Sequence, residues 1–306
     1  MKKIRIPLIV ALVVAVIGIV FGSFFDFQIS SAIASPTNAF ALTVSAIIPT
    51  IGFAGVALMG GGFIALIIKG KYHIGLKILF GVLAACCLGV SIMYPGGEYF
   101  GVNGFRNDDL KWLGYVIVII PEVAAMVGGY FLFRNCSNKN IWIVFCIVIG
   151  LLLIALLAVI PTIKDNMRRP RYRMLLLDDE LVFHNWWQPF KGYKDYIAAH
   201  PDALHDNFKS YPSGHTAEAS ILLVCSTFFP LADKKIAKWQ LPIFIGSSAL
   251  VLLVALARIM AAAHFLSDVS WGATIVILLT FIANEIVMHI KALQLKEEKP
   301  VDIEEI

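Results

Sequence analysis

The sequence predicts an all-α fold: a polytopic transmembrane helical bundle of about eight spans, with one long loop on its outer side. Three observations predict it. Of the 306 residues, 59% are hydrophobic and only 15% are charged, against about 25% charged in an ordinary soluble chain. The mean hydropathy is +0.80. The apolar residues fall in uncharged runs of about 20, the length that crosses a hydrocarbon core as a helix.

The first run, Ile6 to Phe25, follows Lys2, Lys3 and Arg5. It is longer than the apolar stretch of a signal peptide, and the small-residue site Ala32-Ile33-Ala34 lies well beyond it, so a retained helix is expected. The second span, 41–68, follows a loop marked by Pro36 and its Ser, Thr and Asn neighbours. Its Gly60-Gly61-Gly62 run would let helices approach closely or let this helix kink. Six more spans are expected at 76–94, 113–133, 141–163, 214–231, 241–263 and 266–288, bounded by charge or by Gly and Pro. Residues 291–306 read as a charged cytoplasmic tail. The whole chain, 1–306, reads as one membrane domain.

The formal net charge is only +4, and the basic residues stand in short clusters between apolar runs. That distribution excludes a nucleic-acid partner and points to the bilayer instead. The cysteines, Cys86, Cys87, Cys136, Cys146 and Cys225, include no Cys-x-x-Cys pair and read as packing residues. Counting Lys and Arg in alternate loops places both termini in the cytoplasm of a multi-pass cell-membrane protein. One outer segment, 164–212, breaks the rule with Lys164, Arg168, Arg169, Arg171, Arg173, Lys191, Lys194 and Lys209. Such an excess of positive charge outside calls for an anionic ligand.

Three segments within 141–290 supply the chemistry, and all fall on that outer side. Lys164 and Arg171 stand with six residues between them after the fifth span. Pro212-Ser213-Gly214-His215 opens the sixth, and Arg258, His264 and Asp268 join the seventh to the eighth. In phosphoryl transfer, negative charge spreads over three equatorial oxygens, so fixed cations and N–H donors lower the barrier. Lys164, Arg171 and Arg258 offer the charge, and Ser213 and the Gly214 N–H offer uncharged donors at a helix start. One histidine can attack phosphorus while the other protonates the leaving oxygen. Asp268 follows His264 by one helical turn, within reach of its ring, which favours His264 as nucleophile and His215 as acid.

These segments resemble the tripartite signature of the type 2 phosphatidic acid phosphatase superfamily, Lys-x6-Arg-Pro, Pro-Ser-Gly-His and Ser-Arg-x5-His-x3-Asp. The resemblance implies that Lys164, Arg171, Ser213, Gly214 and Arg258 bind phosphate. It makes His264 the nucleophile, His215 the general acid/base and Asp268 the partner that orients His264, with no metal and no cofactor. It also implies a catalytic side facing away from the cytoplasm. Tyr172 stands where the family has proline, and Ala257 where it has serine. The family core has six spans, so two are additional.

The leading functional reading is an integral-membrane phosphatase acting on a lipid phosphate such as phosphatidate, phosphatidylglycerophosphate or a polyprenyl diphosphate, through a phosphohistidine. The alternatives are a phosphatase or phosphotransferase on soluble phosphomonoesters, and a non-catalytic lipid transporter or binding protein. Arg168, Arg169 and Arg173, outside the motif positions, are expected to attract lipid phosphates. Trp186, Trp187, Phe190, Tyr193 and Tyr196 are expected to lay the loop on the bilayer interface. Glu122, Glu218 and Glu285 lie in or near apolar runs, where they serve either function or helix contacts. Asp178-Asp179-Glu180 reads as exposed loop.

Overall fold

The computed structural model describes residues 2–101, 107–134, 148, 150–228 and 234–297. Cys136 and Cys146, the first residues of the expected span at 141–163 (141–147, and 149), and the tail beyond Glu297 lie outside them. Among the described residues the chain is helical with no strand.

Helix α1 spans Lys2–Ile33, α2 Ala39–Lys69, α3 Ile74–Tyr99 and α4 Lys111–Phe133. A π-turn at Ala155–Val159 leads into α5, Ile160–Met167, which completes the apolar helical stretch Gly150–Leu175. Two short helices, α6 (Tyr172–Leu175) and α7 (Tyr193–Ala199), lie in the loop that follows α5. Then follow α8 (Gly214–Phe228), the short α9 (Lys234–Ala237), α10 (Gln240–Met260) and α11 (Leu266–Glu297).

Among the described residues, seven helical stretches are long and apolar enough to cross a membrane. The sixth expected span, 214–231, corresponds to α8, whose 15 described residues fall short of that length. Small and polar side chains along α8, including Thr216, Ser220, Ser226 and Thr227, are buried, which fits an axis covered on all sides rather than a helix facing lipid. It packs against α2, α10 and α11. Helix α2 also joins α3 and α4, while α1 lies along α11 and α10. Large apolar side chains such as Val10, Ile17, Phe24, Val82, Ile120, Ile245 and Leu252 point outward. In water that surface would be costly; in hydrocarbon it is the expected exterior.

Two local departures have clear causes. Helix α1 runs well past Phe25, where the expected span ends, because Asp26 is buried with polar partners. Helix α2 begins at Ala39, where the Asn38 side chain accepts the Ala41 N–H at 3.0 Å as an N-cap. The expected close approach at the triple glycine is present: a Cβ on Gly61 would lie 1.9 Å from the Met126 carbonyl oxygen, and one on Gly129 1.8 Å from that of Leu58. Glycine on both helices lets α2 and α4 meet backbone to backbone.

The loop between α5 and α8, 168–213, folds on itself and caps the bundle. Phe190, Tyr193, Tyr196 and Ile197 pack around Met174, Leu181 and Phe208, so most of these aromatics form the loop's own core rather than an interfacial belt. Trp186 donates to Ser23 Oγ on α1 at 2.9 Å and lies against Tyr211 and Trp271. Trp187 is exposed.

Candidate active site

The end of α5, the start of α8, and the turn from α10 to α11 meet at one end of the bundle, beneath the cap. Arg171, Ser213, His215, Arg258, His264 and Asp268 are all buried there. Lys164 belongs to the same group, since a Cβ on Gly214 would lie 3.7 Å from Lys164 Nζ. The three cations Lys164, Arg171 and Arg258 all act electrostatically on His264. Residues separated by up to about a hundred positions are thus brought into one cluster, as their spacing predicted.

His264 sits in a tight turn, Ala261 to Phe265. Ala262 takes φ 53°, a left-handed conformation that costs a non-glycine residue about 1–2 kcal/mol. Several bonds hold it: the Ala263 and His264 amides both donate to the Arg258 carbonyl at 3.2 Å, and Arg173 N–H donates to the Ala262 carbonyl at 3.0 Å. His264 Nδ1 lies 2.5 Å from the Ser210 carbonyl oxygen. A carbonyl only accepts, so Nδ1 carries the proton and Nε2 keeps its lone pair. Burial, then the charges of Arg258, Arg171 and Lys164, holds the pKa of His264 well below the ordinary histidine value. The ring is therefore neutral, with the lone pair on Nε2.

Asp268 stands differently from the expected arrangement. Its Oδ2 is 3.9 Å from His264 Nδ1, beyond hydrogen-bond distance. Instead it accepts from Ser210 Oγ at 2.5 Å, from Phe265 N–H at 2.9 Å and from Arg169 Nη1 at 2.5 Å. Asp268 thus holds both sides of the histidine, the turn that carries it and the serine whose carbonyl sets its tautomer. Ser210, one turn of chain before Pro212, escaped the sequence reading because a lone serine carries no signal.

His215 hydrogen-bonds the backbone of Ser45 on α2, and its Nε2 lies 4.0 Å from Glu98 Oε2 on α3. The Nε2 atoms of His215 and His264 are both buried with no hydrogen-bond partner among the described residues. Ser213 donates its N–H to the Asp268 carbonyl at 3.0 Å, and its Oγ accepts from Thr216 Oγ1 at 3.1 Å. Glu218, one turn after His215, bonds Tyr94 and lies near Gly214 and Lys164, which places it at the site. Glu122 is buried away from it beside Ser91, and Glu285 pairs with Arg5 at 3.0 Å.

The arginines outside the motif positions are already engaged, contrary to the expectation of lipid contact. Arg169 is fully buried between Asp26 at 2.9 Å and Asp268 at 2.5 Å. Arg168 pairs with Asp165 at 3.0 Å and lies over the Tyr193 ring. Arg173 donates to Asn207 Oδ1 at 2.8 Å and reaches Asp206 at 3.5 Å. Asp206 also meets Arg171 at 2.8 Å. Burial would raise its pKa, but Arg171, Lys164 and Arg173 outweigh that and hold it below the ordinary carboxylate value.

Both departures from the family signature are accommodated by packing. Tyr172 is buried with its ring edge-on to Phe27 and Phe265. Ala257 sits in a small-residue contact with Ala41, Ala261 and Ala263, where a serine hydroxyl would meet methyl groups. Among the described residues, no group of three or more His, Cys, Asp or Glu is placed to hold a metal ion.

Residues 140–291 match the family model of the PAP2 superfamily. Through this segment the chain belongs to the PAP2 superfamily. No curated protein and no solved structure matches it. PAP2 superfamily members are phosphatases, and the matched segment contains every motif residue named above. This PAP2 segment begins just before the fifth expected span, so α1 to α4 lie outside it, although α1 and α2 both contribute to the walls of the site.

Proposed function

We propose that this chain is an integral-membrane lipid phosphate phosphatase that works through a phosphohistidine on His264 and needs no metal. The observation that carries the reading is the convergence of Lys164, Arg171 and Arg258 around two buried histidines whose Nε2 atoms await a partner. Three cations and the Gly214 and Ser213 donors would hold the phosphoryl oxygens and gain strength as charge spreads in the transition state. His264 Nε2 attacks phosphorus, the P–O bond to the alkoxide breaks, and protonated His215 delivers a proton to the departing oxygen. A water then attacks the phosphohistidine while His215 takes its proton, releasing phosphate and restoring both rings.

A lipid substrate is favoured by an apolar groove of about 670 Å³ between α1, α10 and α11, lined by Val14, Phe21, Phe244, Leu252 and Leu266 and reaching Thr216. Thr216 adjoins His215, so an apolar tail in the groove would bring its phosphate toward the histidines. The reading places the site on the outer face of the cell membrane with both termini in the cytoplasm: Lys69, Lys71 and Lys77 gather where α2 ends and α3 begins, at the far end of α2 from the site. The 164–212 loop is then the extracytoplasmic cap. Phosphate release from a panel of lipid and soluble phosphates, in detergent and with a chelator, tests it. His264→Ala is expected to abolish release and vanadate to inhibit it. Undiminished release by His264→Ala would refute the mechanism, and complete loss with chelator would refute metal independence. Preference for soluble esters over every lipid would refute the substrate class.

A further inference from the structure

The buried pair Asp26–Arg169 lies outside the motif positions and has no role in the reaction as written, yet it connects α1 to the nucleophile. Asp26 is 1% exposed and Arg169 0%. Arg169 spends its whole guanidinium on this region: Nη2 donates to Asp26 Oδ2 at 2.9 Å, Nη1 to Ser267 Oγ at 3.0 Å and to Asp268 Oδ1 at 2.5 Å, and Nε to the His184 carbonyl at 2.8 Å. Its plane lies over the Phe265 ring at 4.2 Å. Asp26 in turn accepts the Ser267 N–H at 2.9 Å and the Ser267 hydroxyl. A carboxylate from α1 therefore caps the first turn of α11, where backbone N–H groups have no partner within their own helix.

We infer that Asp26, through Arg169 and Ser267, is a positioning element for His264. Asp26 and Arg169 fix the start of α11 and one oxygen of Asp268. The other oxygen of Asp268 holds Ser210 Oγ and the Phe265 N–H, and the Ser210 carbonyl holds His264 Nδ1. Every link is buried, and each ends on a group that has only one way to face. Helix α1 approaches closely enough to serve: a Cβ on Gly22 would lie 2.6 Å from Ser267 N. None of the bonds just named is made by the side chain of Lys164, Arg171 or Arg258, the cations proposed to bind phosphate. The first helix, outside the segment that matches the family, is thus part of the catalytic apparatus. It sets the aim of the nucleophile and leaves phosphate binding to others.

The inference rests on the assignment of His264 as nucleophile, and the test separates the two. Asp26→Asn keeps the shape and removes the charge; Ser267→Ala removes only the hydroxyl that joins Asp26 to Arg169 and serves if Asp26→Asn does not fold. Both are compared with wild type and His264→Ala for kcat, KM and inhibition by vanadate, with thermal unfolding as the check on folding. The expected result is a fall in kcat of about tenfold, the scale at which partners that orient a histidine act, with KM and the vanadate inhibition constant changed less than about twofold. A merely structural pair would lower thermal stability without that split. Wild-type kcat in the folded variants, or KM rising in step with the loss of kcat, would overturn the inference while His264→Ala remained inactive. Activity in His264→Ala would overturn both.

Discussion

Gly272, on α11, allows a test of how tightly the phosphate-binding turn is placed. A Cβ built on it would lie 2.2 Å from the Ser213 carbonyl oxygen and 3.2 Å from its carbonyl carbon, with Ala217 N at 3.4 Å. Both neighbours are backbone and cannot rotate away. Gly272→Ala must therefore push the Ser213 turn by about 1 Å, a displacement that typically costs on the order of 100-fold in rate when it misaligns reacting groups. That factor corresponds to about 2.7 kcal/mol of lost transition-state stabilisation. The same turn carries Gly214 and His215, and its Ser213 N–H bonds the Asp268 carbonyl, so donor, acid and nucleophile support shift together. Overpacking should also destabilise the fold by about 1–3 kcal/mol. The assay is phosphate release as kcat/KM in detergent beside thermal unfolding. Gly246→Ala on α10, whose Cβ would meet nothing within 4 Å, serves as the control. A kcat/KM for Gly272→Ala within about threefold of wild type would refute the argument that backbone contact fixes this turn.

Asp268→Asn puts an amide among three donors, and it leaves Arg169 with Asp26 as its only carboxylate; a loss of about 3 kcal/mol in stability and at least about 100-fold in kcat is expected, measured by thermal unfolding and phosphate release. In pH profiles, the depressed pKa of His264 should keep its Nε2 unprotonated at and below pH about 6.5. The acid limb of kcat/KM then falls below that value, and a limb above it would contradict the assignment. The sign for stability follows: between the folded-state pKa and about 6.5 the unfolded chain binds the proton that the folded chain refuses. Stability should thus decline as pH falls below that value and not change above it on this account, a trend that thermal unfolding across pH reads directly.

The motif residues were legible because their chemistry is rare and their spacing is local. Arg258, His264 and Asp268 lie within a few turns of one another, and Pro212-Ser213-Gly214-His215 is contiguous, so charge type and order identify a phosphate site before any packing is known. Apolar run length likewise disclosed the bundle, since a helix in hydrocarbon must be long and uncharged throughout. The reading went astray where a polar residue changes meaning on burial. The first span reads as ending at Phe25, before the charge of Asp26, and Arg169 as one of several cations drawn to lipid phosphates, because nothing within a few residues of either names a partner. Their partners are Ser267 and Asp268, more than two hundred and about one hundred positions away respectively.

The sequence by itself therefore determined the class of fold, and it named the ionisable groups proposed to carry the chemistry. Tertiary structure alone decided how those groups are aimed. It gave His264 its tautomer through the Ser210 carbonyl, turned Asp268 from a direct partner of the ring into the clamp around it, and drew α1 into the site through Asp26. The physical reason is that side-chain chemistry is fixed by the residue, whereas a hydrogen bond's geometry depends on which distant backbone the fold brings within 3 Å.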